Sequence, residues 1–61
     1  MSRDDFESGD RVINKKNRRK GTVVPDQWGV CTQDEVAVEY DGDTGYNGTD
    51  WRDLVQMAAV N

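Results

Sequence analysis

Glu35-Val36-Ala37-Val38-Glu39-Tyr40 is the stretch from which the fold class is read. In extended backbone, successive side chains point to opposite faces. Val36, Val38 and Tyr40 therefore share one face, and Glu39 points to the other. β-Branched and aromatic residues in alternation fit a half-buried strand. The run ends in Asp41-Gly42-Asp43-Thr44-Gly45, a cluster of turn formers.

Working outward, the same pattern recurs in short pieces. Ser8-Gly9-Asp10 is a turn signal, and Arg11-Val12-Ile13-Asn14 reads as a strand. Gly21-Thr22-Val23-Val24 reads as a second strand, stopped by Pro25, which has no N–H for a ladder. A longer loop, 26–34, carries Trp28, Gly29 and Cys31. Beyond the turn cluster, Tyr46 to Thr49 is a candidate fourth strand, with Asn47-Gly48 as a competing turn. Asp50-Trp51-Arg52-Asp53 reads as a single helical turn capped by Thr49 or Asp50, and Leu54-Val55-Gln56-Met57 as a short last strand. No segment sustains a helical period. The spacing predicts an all-β fold: a small five-stranded barrel, residues 9–57, with one short helical turn before the last strand. Residues 1–8 read as a flexible N-terminal arm and 58–61 as a C-terminal tail. Ser2 and Asp5 are spaced like a capping box, and Phe6 is the arm's one apolar anchor. The predicted core is Val12, Val23, Val36, Val38, Tyr40, Trp51 and Leu54, with Val30 or Phe6 closing an end.

Sixty-one residues allow one domain, and a chain of this size buries only about 60% of the surface it exposes when unfolded. One protomer has no room for a deep substrate cavity. There is one cysteine, Cys31, and no histidine. An intrachain disulfide is excluded, and the commonest general base and metal ligand are absent. The polar N-terminus has no apolar run of the kind a signal peptide or membrane helix needs, and the lone thiol fits a reducing compartment. The expected setting is the cytoplasm, bacterial or phage-derived, without membrane association.

Four pieces in order carry a resemblance: Gly9-Asp10-Arg11-Val12, Arg19-Lys20-Gly21-Thr22-Val23-Val24, Val36-Ala37-Val38-Glu39-Tyr40-Asp41-Gly42, and Trp51-Arg52-Asp53-Leu54. Together they resemble SH3-like barrels of the KOW and Tudor-like type over roughly residues 9–56. The resemblance implies a five-stranded SH3-like barrel and a binding role, but not a particular partner. Gly-Asp-Arg-Val, the Lys15-Lys16 pair, Gly21-Thr22-Val23-Val24, Trp28, Cys31-Thr32 and Ala37-Val38-Glu39 are also similar to the plasmid-type (type II) dihydrofolate reductases. These enzymes place one active site in the pore of a tetramer and line it with a Val-Gln-Ile-Tyr stretch. Here Tyr46-Asn47-Gly48-Thr49-Asp50 occupies the matching region, and only Lys15 or Lys16 stands for the pore lysine. That likeness therefore implies shared architecture, and a pore-forming reductase ranks last among the readings.

Charge gives the sharpest functional signal. From Arg11 to Pro25 the chain carries six basic residues and no acid; the remainder has Arg3, Arg52 and all twelve acids. One segment is near +6 and the rest near −10, giving the net −4. Lys15, Lys16, Arg18, Arg19 and Lys20 put five cations into one hairpin loop. A loop of this kind can neutralise about 3–4 phosphates, with affinity that falls steeply with salt. Its alternatives are an acidic protein partner and a merely solvated loop. Trp28 and Tyr46, in polar glycine-containing loops, are the aromatics placed to add exposed contact, by stacking on bases or packing on protein. Several aromatics converging near an acid would instead cage a methylated lysine.

Other motifs lead nowhere. Asp41-x-Asp43-x-Gly45 begins like a calcium loop, but its twelfth position is Arg52. Cys31 has no histidine to activate it, and no carboxylate pair stands out. The expectation is a non-enzymatic binding module with no catalytic residues, metal or cofactor. Its partner would be nucleic acid or an acidic protein surface; the alternative is a structural subunit or adaptor clipped onto a larger protein assembly. The small SH3-like subunit of photosystem I, loosely similar at its opening Gly-x-x-Val strand, illustrates that second role.

Overall fold

Alternation of buried and outward residues is realised on each core strand. Val12 and Asn14 turn inward from β1 (Arg11–Asn14), Gly21 and Val23 from β2 (Lys20–Val23), and Val36, Val38 and Tyr40 from β3 (Glu35–Tyr40). β4 (Asn47–Asp50) and β5 (Leu54–Gln56) complete the sheet. Two lone 3-10 turns accompany the strands, Arg3–Asp5 and Trp51–Asp53, the second directly before β5 as the sequence predicts. The computed structural model describes residues 2–57; the predicted tail, 58–61, lies outside the described residues.

All neighbouring strands are antiparallel, in the order β4-β3-β2-β1-β5. The register puts Val12 opposite Gly21, Gly21 opposite Tyr40, Val23 opposite Val38 and Asn14 opposite Leu54. Phe6, Val12, Val23, Val36, Val38, Tyr40 and Leu54 form one core. Val12 and Val38 are 0% exposed. With no helical layer to cover it, a single sheet reaches such burial only by curling its inner face around itself. The all-β, five-stranded expectation is met, and the arrangement is compatible with a small barrel-like fold. Among the described residues no ladder pairing joins β4 to β5; the Trp51–Asp53 turn makes the corner between them.

Gly21 is needed for close packing. A Cβ there would stand 2.6 Å from Val38 Cγ1 and 2.8 Å from the Glu39 carbonyl oxygen, so no larger residue fits. Ala37 points outward yet is buried. Val24 N–H donates to the Ala37 carbonyl at 3.0 Å, continuing the β2–β3 ladder by one residue. Cys31 Sγ lies 3.1 Å from where a Cβ on Gly48, the partner of Ala37, would be.

Several boundaries and core assignments differ from the sequence expectation. β2 starts and stops one residue early, because Pro25 ends the pairing after Val24 makes its single bond. β4 begins at Asn47 rather than Tyr46. Trp51 is only half-buried; it packs against the core edge and its outer face is covered by Arg52, 5.1 Å from the ring centroid. Of the two residues expected to close an end, Phe6 joins the core as read, whereas Val30 is 64% exposed. Residues 2–8 hold Phe6 in place through a capping box, in which Ser2 Oγ accepts from Asp4 N–H at 3.2 Å and Asp5 Oδ2 accepts from Ser2 N–H at 2.9 Å. Gln56 Nε2 also donates to the Asp5 carbonyl at 2.7 Å. Among the described residues no helix is long and apolar enough to cross a membrane.

Candidate functional site

The cationic loop joins β1 to β2, and its base is held by a buried polar relay. Asn14 is the one buried polar residue among those described. Its Nδ2 donates to Tyr40 Oη at 3.0 Å, and Tyr40 Oη pairs with Thr49 Oγ1 at 2.7 Å. Asn14 Oδ1 turns the other way and accepts from Lys16 N–H at 2.8 Å. An unpaired buried amide would cost about 1–3 kcal/mol, so the relay fixes where the loop leaves the sheet. Two backbone bonds close the hairpin, Asn14 N–H to the Arg19 carbonyl at 2.8 Å and Arg18 N–H to the Asn14 carbonyl at 2.7 Å. A third, Lys15 N–H to the Asp53 carbonyl at 2.8 Å, ties it to the Trp51–Asp53 turn. Arg18 has φ +61°, the left-handed conformation that favours glycine.

All five cations of the loop are exposed, but they are not equivalent. Arg19 lies 5.2 Å from the Tyr40 ring centroid, and its Nη2 is 3.0 Å from Asp43 Oδ2. Lys16 Nζ is 3.4 Å from Asp53 Oδ2. Asp41, across the ladder from Lys20, is taken up instead by a bidentate pair with Arg11 at 2.8 and 2.7 Å. The Arg11 bond holds the Asp41 carboxyl below its usual range. Lys15, Arg18 and Lys20 therefore remain without a carboxylate partner among the described residues. Exposed ion pairs contribute little stability, about 0–1 kcal/mol, but they do remove positive field.

The two aromatic candidates are brought together elsewhere. The β2–β3 connection is organised by Asp26, which sequence reading did not single out. Asp26 Oδ1 accepts from Tyr46 Oη at 2.6 Å and from Val30 N–H at 3.0 Å; Oδ2 accepts from Cys31 N–H at 2.9 Å. These bonds, Tyr46 first, lower the Asp26 carboxyl to about 2. Tyr46 Oη in turn accepts from Trp28 N–H at 2.9 Å. Desolvation, and then its bond to Asp26, raises the Tyr46 phenol. Gly29 takes φ +64° to complete the turn. The spacing Asp26-Gln27-Trp28-Gly29, an acid at the first position and glycine at the fourth, is a readable turn signature.

This knot presents Trp28 at 74% exposure. Trp28 and Tyr46, with Pro25, Gln27, Val30 and Glu39, line a groove of about 460 Å³. No residue of the basic hairpin lines it. The hairpin and the Trp28 connection leave β2 at its opposite ends, so the fold offers a cationic tip and a separate aromatic groove. Burial, and then the charge of Asp26, pushes the Cys31 thiol up, away from a reactive thiolate. Among the described residues no three carboxylate or thiol groups converge as a metal site. Comparison with protein-family models, with curated proteins and with solved structures gives no match for this chain.

Proposed function

We propose that the protein is a non-enzymatic binding module of the KOW or Tudor-like kind. It docks on the phosphates of a nucleic acid, or of a nucleic-acid-handling assembly, through the β1–β2 hairpin. The observation that carries the reading is that Lys15, Arg18 and Lys20 stand without carboxylate partners on a hairpin anchored by the Asn14–Tyr40–Thr49 relay. Anchoring matters because a cation fixed in space loses less freedom on meeting a phosphate. The acidic remainder repels a polyanion elsewhere and orients the approach. Lys16 and Arg19, already paired within the chain, position the loop rather than neutralise phosphate.

The test is the salt dependence of binding to a short duplex DNA, read by fluorescence anisotropy. Each phosphate neutralised contributes a slope of about −0.9 in log affinity against log salt. Three free cations give about −2.7, a loss of about 40-fold between 50 and 200 mM salt, whereas five would give about −4.5 and about 500-fold. No binding at 50 mM salt, or a slope unchanged when Lys15 and Lys20 are both replaced by Gln, overturns the reading. The adaptor reading is favoured by a different observation, the exposed Trp28. A large aromatic held rigidly at the surface is a common anchor for protein contact.

A further inference from the structure

Two aromatic rings in this molecule are each covered by an arginine that also meets a carboxylate. Arg19 lies over Tyr40, 5.2 Å from the centroid, with Asp43 at 3.0 Å. Arg52 lies over Trp51, 5.1 Å from the centroid, with Asp50 at 2.9 Å. A guanidinium suits both contacts at once, because its flat face stacks on a ring while its edge donates to a carboxylate. A third set has the ring and the acid but no cation. Trp28 and Glu39 line the same groove, and no basic side chain lines it. Glu39 is exposed and makes no ion pair or side-chain hydrogen bond among the described residues.

We infer that this groove receives an arginine side chain from a partner protein, stacked on Trp28 and paired with Glu39. Three features of the groove support that occupant. Its charge is complementary: Glu39 is on its wall, ionised Asp26 stands behind Tyr46, and no cation repels a basic visitor. Pro25, Val30 and Tyr46 supply apolar surface for the aliphatic part of the side chain or its neighbours. Finally, the site is organised in advance: Trp28 N–H donates to Tyr46 Oη at 2.9 Å, and Asp26 Oδ1 holds the loop around it by accepting from Tyr46 Oη at 2.6 Å and from Val30 N–H at 3.0 Å. The groove thus gives the protein a second binding face of opposite preference to the hairpin. The tip takes an anion and the groove a cation, so one small module can bridge a polyanion and a basic protein.

The test is a titration of the 15N-labelled protein with acetyl-Gly-Arg-Gly-amide, followed by its amide and indole signals. The neutral isostere acetyl-Gly-citrulline-Gly-amide and the acidic acetyl-Gly-Glu-Gly-amide are run beside it. The arginine peptide is expected to saturate with a millimolar dissociation constant, shifting the Trp28 indole N–H and the amides of residues 39 and 46. Glu39→Gln is expected to weaken it at least about fivefold, and Trp28→Ala to abolish the shifts; Trp28→Phe keeps the loop and retains part of the affinity. Equal response to the citrulline peptide, affinity unchanged in Glu39→Gln, or no shift at Trp28 by 20 mM peptide overturns the inference. Shifts of the same signals on concentrating the protein alone also overturn it, because the occupant is then the hairpin of a second copy.

Discussion

Arg18→Gly is expected to strengthen the fold while weakening the binding. Arg18 sits at φ +61°, where a side chain with a Cβ costs about 1–2 kcal/mol. Glycine removes that strain but gains about 0.5–1 kcal/mol of freedom in the unfolded chain. The difference leaves Arg18→Gly more stable by about 0.75 kcal/mol, the middle of the roughly 0–1.5 kcal/mol span these terms allow. For a domain this small a urea slope of about 1 kcal/mol/M translates the gain into a midpoint higher by about 0.75 M. Arg18 makes no ion pair among the described residues, so no attraction is lost to offset it. The same change deletes one of three free cations, so the salt slope for duplex DNA should fall from about −2.7 to about −1.8. Arg18→Ala is the decisive companion: it removes the charge but keeps the strain. Urea denaturation and anisotropy on the same three proteins separate the two effects. Should Arg18→Gly prove no more stable than Arg18→Ala, the left-handed geometry of the tip is wrong. Should neither variant change the salt slope, Arg18 does not touch phosphate.

Three further outcomes follow from the geometry. Tyr40→Phe strips the hydroxyl shared by Asn14 and Thr49 and is expected to lose about 1–3 kcal/mol in urea denaturation, with faster amide hydrogen exchange at Lys16 and Arg18; unchanged exchange there would show that the relay does not hold the loop. Gly21→Ala drives a Cβ to 2.6 Å from Val38 Cγ1 and 2.8 Å from backbone, and overpacking of this kind costs about 1–3 kcal/mol; a midpoint equal to wild type refutes the packing described for β2. The Asp26 carboxyl is held at about 2 when folded against an ordinary 3.8, so the folded state binds fewer protons. Its contribution is complete above about 4 and fades as pH falls through about 2. In a Trp51→Phe background, Trp28 emission should report loop opening in that window, and Asp26→Asn should abolish the transition.

Much of the five-stranded fold was legible because its signals are local. The alternation in Glu35–Tyr40, the stop at Pro25 and the capped turn before Leu54 each depend on a few adjacent residues. Trp28 was readable as exposed because a polar, glycine-bearing loop gives a large ring nowhere to hide. Asp26 and Glu39 were not singled out, since one reads as a turn former and the other as a solvated strand residue. The role of Asp26 depends on Tyr46 arriving from a different connection, twenty residues away in sequence. Trp51 misled because a tryptophan beside a closing strand reads as core, whereas Arg52 provides its cover from outside.

The sequence by itself determined the all-β class, the positions of four strands to within a residue and the clustering of positive charge between Arg11 and Pro25, while the fourth strand stayed open against an Asn47-Gly48 turn until its pairing with β3 decided it. These follow from backbone periodicity and composition, which act over short distances along the chain. Only the tertiary structure decided which of those charges remain free. Pairing depends on which carboxylates strand register brings across: Asp43 reaches Arg19 over the Tyr40 ring, Asp53 reaches Lys16 from the turn that leads into β5 beside β1, and Asp41 goes to Arg11. Electrostatic attraction acts through space, so neighbours in the folded sheet, not neighbours in the chain, left Lys15, Arg18 and Lys20 without a carboxylate partner among the described residues.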